Sequence, residues 1–169
     1  MVQGTIQQAP PIPETDAAPA PPWSLAVVRH FVGAYLVLWH RFRRGPCTIP
    51  ASGPVIVVAN HVSGLDPLAL VASSPHRLIR FMMARELYQQ RPLYWLYRRL
   101  GVIPVDRTRA DISSVRAALR ALHGGAVVGL FPEGRISMTG AMQDARPGAA
   151  SLALPSGATV IPAYISGVV

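Results

Sequence analysis

His61 and Asp66 stand five positions apart in Asn60-His61-Val62-Ser63-Gly64-Leu65-Asp66, directly after the apolar run 54–59 (PVIVVA). A loop of that length can bring the carboxylate to one imidazole nitrogen. The tautomer is then fixed, and the other nitrogen is left as a general base. The same spacing also suits a structural role, in which Asp66 before Pro67 caps the next helix beside a satisfied histidine. Spacing alone leaves both open.

Three further blocks carry residues of chemical interest. Gly101-Val102-Ile103-Pro104-Val105-Asp106-Arg107 places an arginine just past a short apolar run, where its guanidinium can fork onto a phosphate. An Asp106–Arg107 surface turn is the plainer alternative. Phe131-Pro132-Glu133-Gly134-Arg135 again follows an apolar run. Gly134 there permits close backbone approach to a ligand, Glu133 could orient an arginine or a substrate hydroxyl, and Arg135 could contact phosphate. A tight turn with a solvated ion pair would account for the same residues. In Val160-Ile161-Pro162-Ala163-Tyr164 a proline interrupts an apolar strand, which marks an edge or a bulge.

The elements that must position these blocks alternate along the chain. Short β-branched or apolar runs at 54–59, 78–83, 102–105, 126–131 and 159–165 read as strands. Between them, helices are expected at 68–73, at 86–100 with a break at Pro92, over 112–122, and at 148–154. Asp111 could cap the third of these, and Gly124-Gly125 would end it. This alternation predicts an α/β fold: a mostly parallel central sheet flanked by helices. Ligand sites in such sheets gather beyond the carboxyl ends of the strands, where the blocks fall.

Residues 1–22 are rich in Pro, Ala and Gln without an apolar face, and read as a disordered tail. Residues 23–40 are apolar on nearly every helical face and are followed by Arg41, Arg43 and Arg44. With Trp23 and Trp39 near its ends, the segment 23–44 is expected to form a membrane-associating helix with a basic end. Arg29 and His30 weigh against simple spanning, and a helix covering the sheet is the alternative.

The chain has 169 residues, room for one domain. At 50% hydrophobic and 14% charged it is neither a disordered nor a fibrous protein. A single cysteine, Cys47, excludes a disulfide framework and a cysteine-based metal site. All 16 basic residues are arginine against 8 acids, a net charge of +8 that suits phosphate-bearing partners. Nucleic acid is not expected among them, because the arginines are dispersed and no reading motif is present.

In this order, and on these strand ends, the four blocks together resemble the glycerolipid acyltransferase family of lysophosphatidic acid and glycerol-phosphate acyltransferases (PlsC-like). NHVSGLD is similar to that family's His-x4-Asp motif, and GVIPVDR, FPEGR and VIPAY to its second, third and fourth blocks, over roughly residues 45–166. The resemblance implies an acyltransferase domain over 45–169. It would move an acyl group from acyl-CoA or acyl carrier protein to a hydroxyl of lysophosphatidic acid or a related lysophospholipid. His61 and Asp66 would be catalytic, and Arg107, Glu133, Gly134 and Arg135 would hold the acceptor. No metal and no cofactor beyond the thioester donor are expected, and the setting would be the cytoplasmic face of the cell membrane, on anionic lipid. The alternative is a non-catalytic lipid-binding module of the same fold.

Two departures stand out. Arg135 follows Gly134 directly, where the family often carries a hydroxyl residue between them, and this pattern is similar to the branch that reacylates lysophospholipids. The family also usually continues past the fourth block, so the end at Gly167-Val168-Val169 reads as a C-terminal truncation.

Overall fold

The computed structural model describes residues 22–108 and 111–167. The expected tail lies outside them except for Pro22, which already begins a helix. The elements are α1 (Pro22–His40), β1 (Val55–Ala59), α2 (Asp66–Ser73), β2 (Ile79–Ala84), α3 (Arg85–Tyr88), α4 (Tyr94–Arg99), β3 (Ile103–Val105), α5 (Ile112–His123), β4 (Val127–Leu130), α6 (Gly148–Ser156) and β5 (Thr159–Ala163). Pro92 falls between α3 and α4, which are separate pieces, as its missing N–H requires. Asp111 caps α5 by accepting the Ser114 backbone N–H at 3.2 Å.

The sheet runs β3-β2-β4-β1-β5, and every adjacent pair is parallel. Pro104 and Pro162 sit on its two edge strands, β3 and β5, where a proline disturbs the ladder least. Side chains alternate between two buried faces. Ile56, Val128 and Leu130 pack with Ala118 and Leu122 of α5 and Leu152 of α6. Val55, Val57, Ile79, Phe81 and Val127 form the opposite face, covered by Leu70 and Val71 of α2. Burial on both sides explains why these strands read as unbroken apolar runs.

α1 adds an outer layer. Val32 and Leu36, one turn apart, pack on Leu65, Ala69 and Ala72 at α2. On the other side Phe31 and Leu38 are each 74% exposed, beside exposed Tyr35 and Trp39. The helix ends earlier than the expected 44. Arg41 takes a left-handed φ of 51°, which breaks the helical run and leaves Arg43 and Arg44 beyond it. No helix among the described residues is long and apolar enough to cross a membrane.

Candidate active site

β1 and β4 lie side by side, yet the helices that follow them pack on opposite faces of the sheet, α2 on one and α6 on the other. Adjacent parallel strands with diverging connections leave a crevice beyond their carboxyl ends. The loop carrying His61 leaves β1 at this crevice, and Phe131-Pro132-Glu133-Gly134 leaves β4 there.

Asp66 is fully buried, and its Oδ2 takes three donors: the His61 ring at Nδ1 (2.9 Å), the Val62 N–H (2.7 Å) and the Ser63 N–H (2.8 Å). An ionised carboxylate only accepts, so the facing imidazole nitrogen carries the hydrogen and Nε2 keeps its lone pair. The alternative reading of Asp66 as a helix cap does not hold: Leu65 is the N-cap residue of α2 and Asp66 is the helix's first residue. Its carboxylate turns back to close the preceding loop instead.

His61 is held from other directions as well. Its ring, with the side chain 16% exposed, stacks on Phe131 at 4.0 Å and 14°. Phe131 in turn stacks on Phe81 at 5.9 Å. Glu133 is 3% exposed, and its Oε1 accepts the His61 backbone N–H at 3.2 Å. The Ser137 N–H donates to the His61 carbonyl at 2.7 Å. Both main-chain polar groups of His61 are therefore held by the segment after β4. Glu133, expected among the acceptor ligands, is placed beneath the His61 loop.

The arginines are arranged around Gly134, whose φ of +70° suits a residue without a side chain. Arg107 donates from Nη1 to the Gly134 carbonyl at 3.3 Å, and its Nη2 lies 3.8 Å from Glu86. Arg135 is exposed and donates from Nε to the Gln143 side chain at 3.0 Å. Arg146 was not nominated from the sequence. Its Nε and Cζ lie 3.5 and 3.7 Å from where a Cβ on Gly134 would stand.

The block after β3 is braced by Asp111, whose Oδ2 accepts the Asp106 N–H at 2.9 Å and faces Arg85 at 3.4 Å. Burial alone would raise the Asp111 pKa. The hydrogen bonds from Ser113, Asp106 and Ser114, with the Arg85 charge, outweigh it and hold the carboxyl below its usual range. Asp106 itself accepts from the Thr108 N–H and hydroxyl, so a turn does form beside Arg107.

Residues 41–166 match the family model described as Acyltransferase. The chain belongs to the acyltransferase family. Among curated relatives, the 1-acyl-sn-glycerol-3-phosphate acyltransferase of Bacillus subtilis is 28% identical over 120 residues, covering 70% of this chain and 59% of its own length. The human 1-acyl-sn-glycerol-3-phosphate acyltransferase alpha is 33% identical over 128 residues, covering 73% of this chain and 44% of its own. The crystal structure of the 1-acyl-sn-glycerophosphate acyltransferase PlsC from Thermotoga maritima superposes with a TM-score of 0.69 at 25% identity. That match covers 83% of this chain and 56% of the other. The chain thus spans 59% of the Bacillus subtilis relative's length.

Within this acyltransferase domain the fourth block has an architectural partner that the sequence did not announce. The Asn60 side chain donates to the Ile165 carbonyl and accepts the Ile165 N–H, both at 2.8 Å, clasping the exits of β1 and β5. Ile161 and Pro162 of this block line a cavity of about 900 Å³ between the 38–49 segment, α2 and β5. That cavity includes none of His61, Asp66, Arg107 or Glu133. The site is therefore located by its side-chain chemistry at the strand ends rather than by cavity size.

Proposed function

We propose that the chain transfers a fatty acyl group from a thioester, acyl-CoA or acyl carrier protein, to a hydroxyl of lysophosphatidic acid at an anionic membrane surface. The observation that carries this reading is the 2.9 Å bond between His61 Nδ1 and buried Asp66, which leaves Nε2 able to accept a proton. As the acceptor hydroxyl attacks the thioester carbonyl, His61 takes its proton and Asp66 balances the imidazolium. The C–O bond forms, the C–S bond breaks, and His61 returns the proton to the departing thiolate. General-base help of this kind is worth about 10²–10⁴-fold. The acceptor hydroxyl attacks directly, so no enzyme nucleophile and no cofactor beyond the thioester enters the scheme.

Lysophosphatidic acid is favoured as acceptor by the names of the relatives and by the arginines gathered at Gly134. Among the backbone amides of the His61 loop, those of residues 61–63 and 65 are already engaged, so a backbone oxyanion donor there would be Gly64. Membrane contact is supported by the exposed apolar side of α1 and by Arg41, Arg43 and Arg44 after it, a basic flank suited to the cytoplasmic leaflet.

The test is thiol release from a long-chain acyl-CoA and from acyl carrier protein, with and without lysophosphatidic acid, for the wild-type chain and His61→Ala. Release that requires both the acceptor and His61 is expected. Near-normal turnover by the His61→Ala protein would remove the assigned base. Binding of lysophosphatidic acid without release from either donor would favour a lipid-binding module.

A further inference from the structure

We propose that Arg146 pairs with Arg107 to bind the acceptor phosphate across Gly134. This rests on the acceptor reading above and adds to it a ligand that none of the four sequence blocks contains.

The geometry favours Arg146 in three ways. Arg107 reaches Gly134 through the carbonyl, while the Arg146 guanidinium lies against the open side of the same residue, at van der Waals distance from the missing Cβ. Two guanidinium groups thus flank one glycine. The base of Arg146 is also fixed to the third block, since its backbone N–H donates to the Pro132 carbonyl at 2.9 Å. Finally, Arg146 is exposed and has no carboxylate partner within ion-pair distance among the described residues.

The chemistry matches that layout. A phosphate monoester carries close to two negative charges near neutral pH and several strong acceptor oxygens, and guanidinium groups bind it through parallel N–H donors. Glu133 one residue away engages the His61 N–H, which places the phosphate site next to the base that must act on the same molecule's hydroxyl.

The experiment compares the wild-type chain with Arg146→Ala, Arg146→Gln and Arg107→Ala in detergent micelles. It measures kcat and KM for lysophosphatidic acid, KM for acyl-CoA, and inhibition by inorganic phosphate. Arg146→Ala and Arg146→Gln are expected to raise the acceptor KM by about 10- to 100-fold and to weaken phosphate inhibition, as loss of a charged hydrogen bond does. The acyl-CoA KM and the thermal midpoint should stay unchanged. An acceptor KM within about twofold of wild type in both Arg146 variants would overturn the proposal, as would equal losses for donor and acceptor. If the wild-type chain binds lysophosphatidic acid micelles without turning over, the acyl-transfer reading fails separately. Binding then decides: weaker in Arg146→Ala supports the site, while equal binding, or none by wild type, overturns it.

Discussion

Glu133 Oε1 lies 3.2 Å from the backbone nitrogen of His61, across 72 residues of sequence. The buried carboxylate carries the peptide on which the base is mounted, and a carboxamide oxygen could accept the same N–H. Glu133→Gln is therefore expected to keep activity within about tenfold of wild type. Glu133→Ala should lose about 100-fold in kcat through misplacement of His61, with about 1–3 kcal/mol of stability. Steady-state kinetics with denaturant unfolding of both variants make the comparison. Equal losses in the two would mean that the charge itself meets the substrate.

Asp66 orients the same histidine from its ring side. Asp66→Asn preserves shape while placing an amide where Oδ2 now gathers three N–H donors. Turnover should fall about 10³–10⁴-fold, as when a histidine loses the carboxylate that selects its tautomer. Residues that act as a unit are not additive, so the His61→Ala/Asp66→Asn pair should be no slower than His61→Ala alone. A double variant much slower than either single one would show that the two residues act separately.

Much of this arrangement was legible beforehand. Strand positions followed from β-branched runs such as 54–59, because burial on both faces leaves no polar interruption, and Pro162 marked an edge strand. The His61–Asp66 contact was one of two readings open at that spacing. In the structure the contact is made, with Asp66 buried and Leu65 rather than Asp66 at the cap of α2. Side chains recruited over long sequence distances left no local mark. Asn60 clasping Ile165 and Arg146 lying on Gly134 are contacts of this kind. Phe131 stood in plain view as part of a motif, but its stacking on His61 depends on the register of β4 beside β1.

Gly129 supports the aromatic stack from below. A Cβ on this strand residue would stand 2.6 Å from both Ile79 Cγ2 and Phe81 Cε1. Gly129→Ala is expected to cost about 1–3 kcal/mol by overpacking, read from the midpoint of urea unfolding. Because Phe81 underlies Phe131 and Phe131 underlies His61, kcat should fall as well. Adding Phe81→Leu should return part of the lost stability, since the clash involves that ring. No recovery in the double variant would place the strain elsewhere.

Asp111 makes stability depend on acid pH. Its carboxyl is held below the usual range in the folded chain, so folding favours the ionised form. That contribution is complete above the ordinary carboxylate pKa of about 4 and is lost as pH falls through the lower folded value. Asp111→Ala should cost about 1–2 kcal/mol at pH 7, from the lost α5 cap and the unpaired Asp106 N–H. The gap between variant and wild type should narrow steadily below about pH 4. Urea unfolding at neutral and acid pH measures it, and a gap independent of pH would deny the carboxylate this role.

The last prediction separates the two sides of α1. Phe31 and Leu38 contribute little to the fold, being 74% exposed, whereas Val32 and Leu36 pack against α2. Each large apolar side chain transferred from water to an apolar phase gains about 1.5–3 kcal/mol. Phe31→Ser/Leu38→Ser should therefore weaken flotation with anionic vesicles by more than about tenfold, with the unfolding midpoint unchanged. Leu36→Ser should do the reverse, losing stability before membrane affinity. Neutral vesicles should bind the wild type more weakly, because each arginine near an anionic surface adds about 1 kcal/mol and Arg41, Arg43 and Arg44 follow the helix. Flotation untouched by the double substitution would mean that the exposed side of α1 does not meet the bilayer.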